Sequence, residues 1–297
     1  MKRLLILSGK GGTGKTTTAA ALIRFSKAKA IADCDVDAPN LHLISSWQTA
    51  PAVSDFLGGD KAVSNKELCL GCGVCQSHCR FEAIEMKNGK CHINEYLCEG
   101  CGVCAYLCPS KAIQLVSDVA GKKELFEEND RVFSTASLKM GRGNSGKLVT
   151  DVKMAMLKHA PETDLAIIDG SPGIGCPVIA SISGMDLVLV VAEPSDSGIS
   201  DLKRLIQTTE TLQTKLAVCV NKWDISPKHT EAIYQLCQEK NLPFAGKIPY
   251  SKSASKAINE GKTIADIDCP ARDALKEIYE VIKKLIYEIH EEKEIKL

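Results

Sequence analysis

Two cysteine runs of matching spacing constrain this chain more than any other feature: Cys69-x2-Cys72-x2-Cys75-x3-Cys79 and Cys98-x2-Cys101-x2-Cys104-x3-Cys108-Pro109. Thiols this closely spaced converge on a compact centre only if the backbone between them turns repeatedly. A C-x2-C-x2-C loop supplies three thiolates to one [4Fe–4S] cube, and the cysteine three residues later ligates the cube of the other half. This assigns Cys69, Cys72, Cys75 and Cys108 to one cluster and Cys98, Cys101, Cys104 and Cys79 to the other. Zinc is the alternative metal, but structural zinc is usually held by paired C-x2-C knuckles rather than two full runs of four. The second run keeps a terminal Pro109 where the first has Arg80, a departure that removes no ligand.

Residues 60–117 hold nine of the fourteen cysteines and little helical periodicity, so they are expected to form an inserted domain. Within it, residues 68–84 and 97–113 match at ten of seventeen positions, an internal duplication offset by 29 residues. That is too short for a solenoid repeat and the right size for a two-half ferredoxin. Cys91, between the runs, is expected to be a buried thiol. Cysteine-rich composition suggests disulfides in a short secreted protein. Here residues 1–8 run into a glycine-rich loop without a cleavage site, and no apolar run reaches the ~20 residues a membrane span needs. The expectation is a cytoplasmic protein with reduced thiols and no membrane span, in which clustered cysteines mean metal. Equal numbers of basic and acidic side chains, 37 each, argue against a broad nucleic-acid or lipid footprint.

The chain opens with a short apolar run, Lys2–Leu7, followed by Gly9-Lys10-Gly11-Gly12-Thr13-Gly14-Lys15-Thr16-Thr17. A glycine-rich turn between strand and helix aims backbone N–H groups and a helix N-terminus at phosphate oxygens. Lys15 is then placed on the terminal phosphates of a nucleotide and the Thr16 hydroxyl on Mg²⁺. Helix Lys15–Ser26 and strand Ala30–Asp33 follow. After the insert, helical or strand patterns recur at Thr150–Lys158, Leu165–Asp169, Leu187–Ala192, Ser200–Leu212, Leu216–Asn221, Lys228–Glu239, Phe244–Ile248 and about 271–292. Alternating buried strands and amphipathic helices predict an α/β fold, a doubly wound, mostly parallel sheet. Its two segments are expected at 1–59 and 118–297, interrupted by the small α+β insert. In the last helix Leu275, Ile278, Ile282, Leu285 and Ile289 share a stripe, read as a core-packing face because the opposite face carries both charges.

With Lys10 added, the loop reads K-G-G-x-G-K-T, and the chain resembles the MinD/ParA/nitrogenase-iron-protein branch of P-loop ATPases with a deviant Walker A motif. The resemblance implies a slow, partner-stimulated ATPase that dimerises on ATP, with Lys10 reaching across to the nucleotide of the partner subunit. It also implies that Asp33-Cys34-Asp35-Val36-Asp37 forms a first switch, with Asp35 orienting the attacking water and Asp33 holding Mg²⁺ through water. Asp169-Gly170-Ser171-Pro172-Gly173 matches a second switch, with Asp169 as the Walker B carboxylate toward Mg²⁺ and Gly173 letting the backbone swing toward the γ-phosphate. Asn221 stands where this branch reads adenine, beside Trp223, read as packing. Gly11, Gly12, Thr13, Gly14, Lys15, Thr16 and Thr17 complete the implied ATP site. Cys176 sits at the offset from Asp169 where the nitrogenase iron protein carries a cluster ligand. The second such ligand has no counterpart here, so a buried small residue is favoured over an interface metal ligand.

Two function classes follow. One is an ATPase that couples nucleotide state to electron transfer, or to metallocluster maturation, on a redox or metalloprotein client, acting as a homodimer or with a paralogue. The other is a spatial-organisation ATPase whose clusters are structural or redox-sensing. Eight cluster cysteines and zero net charge favour the first.

Overall fold

The computed structural model of the chain describes residues 1–44 and 47–294. Its elements begin with β1 (Lys2–Leu7), α1 (Lys15–Ser26), β2 (Ala30–Asp33) and β3 (Ala52–Ser64). The cysteine-rich stretch contributes α2 (Val74–Ser77), β4 (Ile84–Lys87), β5 (Lys90–Ile93) and α3 (Val103–Leu107). Then come β6 (Ile113–Glu128), β7 (Arg131–Leu138), α4 (Ser145–His159), β8 (Leu165–Asp169) and α5 (Cys176–Ile182). The chain closes with β9 (Leu187–Ala192), α6 (Asp196–Thr211), β10 (Lys215–Asn221), α7 (Pro227–Glu239), β11 (Phe244–Ile248), α8 (Lys252–Asn259) and α9 (Pro270–Glu294).

These elements divide into two compact units. The first comprises residues 1–53, 123–137 and 145–297, and the second residues 54–122 and 138–144. The stretch expected as an insert, 60–117, lies within the second.

In the first unit the sheet runs β11-β10-β9-β1-β8-β2-β7, and every neighbouring pair is parallel. β6 follows β7 in the hydrogen-bonded order. Strands that alternate side chains between faces and sit in a parallel sheet need both faces covered. One face carries Leu4, Ile6, Ile167, Leu189, Val191 and Ala217, packed against α1 and against Leu275, Ile278, Ile282 and Ile286 of α9. The alternate residues Leu5, Leu7, Ile168, Val188 and Val190 are equally buried. The α9 stripe is thus a core face, with Ile289 also buried and Leu285 packed at its margin. No helix among the described residues is long and apolar enough to cross a membrane.

The sequence pattern located β1, α1, β2, β8, β9 and β11 at their observed bounds and missed others. The helix expected near Thr150 starts at Ser145, where Gly146 lies so close to Cys176 that a Cβ would stand 3.3 Å from its carbonyl oxygen. β6 and β7 were not foreseen. They are joined at Asn129 and Asp130, both in the left-handed region (φ 47° and 64°), the conformation a tight hairpin turn requires.

The second unit has its own small core of Ala62, Cys75, Ala83, Ile84, Cys91, Cys98, Cys104 and Ile113. Cysteine supplies half of it, which is why its apolar residues show no helical or strand period of their own. β4 and β5 form an antiparallel pair, and α2 and α3 each begin after a left-handed glycine, Gly73 and Gly102.

Candidate nucleotide and cluster sites

β1 ends at Leu7, and the chain passes through the left-handed Gly12 (φ 78°) and Gly14 (φ 94°) before α1 starts at Lys15. Gly14 tolerates no side chain, since a Cβ there would stand 2.3 Å from Asn221 Nδ2. Asn221, at the end of β10, donates that N–H to the Thr13 carbonyl at 2.7 Å and accepts from the Lys222 N–H. The amide N–H thus braces the loop, while the amide oxygen is held by the next residue of its own strand end. The Thr13 hydroxyl is buried without a hydrogen-bond partner, an orphaned donor that a phosphate oxygen would satisfy.

Parallel pairing of β2 and β8 sets Asp33 level with Asp169 at the carboxyl ends of the strands. Lys15 Nζ lies 2.7 Å from Asp169 Oδ1 and 3.6 Å from Asp35 Oδ2, and the Thr16 hydroxyl donates to Asp169 Oδ2 at 2.6 Å. Burial opposes the charge on Lys15, but Asp169, followed by Asp35 and Asp33, holds its ammonium above the ordinary value. Burial, then repulsion from Asp169, pushes the Asp33 carboxyl up to about 7. Burial likewise raises Asp169 and Asp35, against the pull of Lys15. Three carboxylates therefore share one cation, a deficit of positive charge lined by hard oxygen donors that fits Mg²⁺. Asp33 also accepts backbone N–H bonds from Asp35, Asn40 and Leu41 at 3.0, 3.1 and 3.0 Å. It thereby folds the loop that presents Asp35.

Gly173 is left-handed (φ 95°), and its N–H donates to the Ser8 carbonyl at 3.1 Å, while the Ser171 hydroxyl donates to the Cys34 carbonyl. The segment after Asp169 is thus tied to both the phosphate loop and the loop after β2. Lys10 does not face the loop's own phosphate position. Its Nζ lies 2.7 Å from Glu193 and 3.0 Å from the Ser197 hydroxyl, two partners that sequence reasoning had not singled out. Beside the loop a cavity is lined by Gly12, Gly14, Thr17, Asn221, Pro249 and Tyr250. Gly11 has open space around its Cα. Trp223 opens a short 3₁₀ turn, with Lys247 Nζ 5.6 Å from its ring centre.

One expectation is overturned. Cys176 is exposed, not buried, because α5 begins at this residue and its first turn points the side chain away from the core.

In the second unit Cys79, Cys98, Cys101 and Cys104 line one small cavity, whose wall also includes Ala62, His78, Phe81, Ile84, Ile93 and Glu99. Three of these cysteines come from one run and the fourth from the other. Elsewhere in the unit Cys69 accepts from the backbone N–H groups of Cys91, at 3.4 Å, and of Gly71. Those donors hold the Cys69 thiol below its ordinary value. Against burial, hydrogen bonds from Ser110 and the Ala112 N–H (3.2 Å) do the same for Cys108. Cys72 and Cys101 are exposed, and Cys75 and Cys104 are buried. Cys91 is buried as expected, and burial pushes it up to about 12.

Among the described residues no three His, Cys, Asp or Glu side chains are arranged around a single ion. The cysteine donors that line the second unit's cavity from both runs are all thiol sulfurs. The sulfur donors present therefore fit an iron–sulfur cube.

The chain matches the CbiA family, the CobQ/CobB/MinD/ParA nucleotide binding domain, over residues 4–264. It is 33% identical to the uncharacterised protein MJ0578 of Methanocaldococcus jannaschii over 96% of this chain and 97% of that one. An iron–sulfur cluster carrier protein of the same organism is 23% identical over 45% of this chain and 49% of its own length. Among solved structures, the MinD cell division protein of Aquifex aeolicus superposes with a TM-score of 0.56 at 18% identity, covering 96% of this chain and 98% of that one. That last likeness concerns the fold alone. With a family match across most of its length and the phosphate loop built as described, the chain belongs to the CbiA/MinD/ParA family and is a P-loop ATPase.

Proposed function

We propose that this ATPase couples its nucleotide state to two [4Fe–4S] clusters, serving electron transfer to a redox client or cluster maturation on a metalloprotein. In the nucleotide unit, Lys15 and the loop N–H groups bind the phosphates, Thr16 and Asp169 orient the metal, and Asp35 positions the attacking water. Bound Mg²⁺ would neutralise charge on the β- and γ-phosphates. Lys10, released from Glu193, is placed to serve a second nucleotide in an ATP-bound dimer. In the second unit, Cys69, Cys72, Cys75 and Cys108 would hold one cluster and Cys79, Cys98, Cys101 and Cys104 the other, each able to take up one electron.

The observation that carries the reading is the cavity ringed by Cys79, Cys98, Cys101 and Cys104. It joins one run to the other in the exchange of ligands that two-cluster ferredoxins use. The partial likeness to an iron–sulfur cluster carrier protein supports the same direction. The decisive experiment purifies the protein without oxygen, measures iron and sulfide, and follows reduction of a purified client with and without ATP. About eight iron per chain and ATP-dependent electron delivery support the proposal. Stoichiometric zinc without iron refutes it, and iron with no effect of ATP favours a spatial-organisation ATPase with structural clusters.

A further inference from the structure

Among the described residues two buried hydroxyls lack a hydrogen-bond partner, those of Thr13 and Thr135. The first lies in the phosphate loop. The second stands on β7, where the sheet register gives it a definite neighbour. Parallel pairing sets Thr135 level with Asp33, and Asp33 level with Asp169. Register partners in a parallel sheet point to the same face, from strands about 4.8 Å apart. Asp169, Asp33 and Thr135 therefore form one row across β8, β2 and β7. Two residues earlier on that face, Ile31 and Phe133 pack with Leu41 of the loop after β2. Thr135 is 2% exposed and Asp33 0%.

The hydroxyls around this row are otherwise used. Thr16 donates to Asp169, and Ser171 to the Cys34 carbonyl. Asp33 takes its bonds from backbone N–H groups, with Oδ2 accepting from Asn40 and Leu41 and Oδ1 from Asp35. All three donors belong to the loop that presents Asp35, so the carboxylate is fixed only as well as that loop. Oδ1 keeps a lone pair for a further donor. The Thr135 hydroxyl stands on the sheet itself and can turn about χ1 to supply one. A buried hydroxyl with no bond of its own, level with a buried carboxylate, calls for such a second role.

We infer that Thr135 is a positioning residue for the Mg²⁺ site, its hydroxyl donating to Asp33 when that side chain turns to serve the ion. The carboxylate is then held from the sheet as well as from the loop. The inference rests on the reading of Asp33 as the residue that holds Mg²⁺ through water. Groups that serve a metal are commonly oriented by outer partners of this kind, whose loss costs about 10–100-fold in metal affinity.

The test uses the full chain in four forms: wild type, Thr135→Val, Thr135→Ser and Asp33→Asn. Denaturant stability without nucleotide is measured first. ADP affinity is then measured by calorimetry with excess Mg²⁺ and with a chelator, and the ratio of the two is the gain that Mg²⁺ confers. Valine keeps the shape of threonine and removes an unpartnered hydroxyl, so Thr135→Val should be at least as stable as wild type. It should bind ADP like wild type in chelator, while its gain from Mg²⁺ falls about tenfold. Thr135→Ser, whose hydroxyl still donates, should keep most of the gain. An unchanged gain in Thr135→Val, with the gain lost in Asp33→Asn, overturns the inference and leaves the role of Asp33 standing. A less stable Thr135→Val whose ADP affinity falls equally with and without Mg²⁺ overturns it too, since the hydroxyl would then be structural. So does a Thr135→Ser protein that loses the gain as fully as Thr135→Val. A gain retained in Asp33→Asn overturns the underlying reading and the inference with it.

Discussion

Replacing Lys153 with Met probes how the segment after Asp169 is anchored. From α4, Lys153 Nζ donates to the carbonyls of Ala180, Ser181 and Ser183 at 2.6, 2.9 and 2.6 Å, at the carboxyl end of α5. The lysine is 6% exposed. Burial pulls its ammonium from 10.5 down to about 8, a desolvation cost of about 3 kcal/mol. Against this stand three hydrogen bonds from a charged donor, each contributing roughly 1.5–3 kcal/mol. Methionine keeps the packing volume, relieves the desolvation and strands three carbonyls. The net loss is about 3 kcal/mol, read as lowered denaturant stability and faster amide exchange in α5. The pH dependence supplies the sign. Between pH about 8 and 10.5 the unfolded chain binds the proton that folded Lys153 has released, so wild-type stability rises with pH. The variant lacks this rise, and the gap between the two proteins widens across that window. Equal stability at pH 7, with unchanged α5 exchange, would refute the reasoning.

Gly14→Ala combines a left-handed backbone with a Cβ 2.3 Å from Asn221 Nδ2, so nucleotide affinity measured by calorimetry should fall at least tenfold; parental affinity would mean that the loop relaxes freely. Lys10→Ala should bind nucleotide yet fail to dimerise on ATP by light scattering, and a variant that dimerises like wild type would remove Lys10 from the interface. The Asp33 carboxyl is held at about 7 against an ordinary 3.8. The folded state therefore binds more protons in that window, and nucleotide-free stability should decline as pH rises through it. Mg²⁺ with ADP should flatten that decline, and denaturation curves unchanged by Mg²⁺ would contradict the cation site.

What was legible in the sequence had a local physical cause. Lys2–Leu7, Leu165–Asp169 and Leu187–Ala192 are apolar runs bounded by glycine or acidic turns, so strand bounds could be placed. Lys15–Ser26 is fixed by the glycines before it. β6 and β7 escaped because charges such as Lys122, Lys123, Glu127 and Glu128 interrupt their alternation, although the Asn129-Asp130 pair was a usable hairpin signal. At the nucleotide site the motif residues were visible, but their braces were not. Glu193, Ser197 and Lys153 meet Lys10, or the end of α5, only through packing of elements far apart in sequence. Cys176 misled because burial was inferred from the lack of a partner ligand, whereas its exposure depends on where α5 starts. In the second unit the 29-residue offset sets Ala62 on Cys91, but that their N–H groups donate to Cys98 and Cys69 sulfurs is visible only in the fold.

The central claim, that nucleotide and clusters sense one another, is tested most directly by ATP affinity in the oxidised and the dithionite-reduced protein, paired with cluster potentials with and without ATP. Linkage requires the same coupling energy in both directions, typically ~1–3 kcal/mol, or roughly 5–150-fold in affinity. The account predicts an affinity difference in that range and a matching displacement of at least one cluster potential. Equal affinities with unmoved potentials would contradict it.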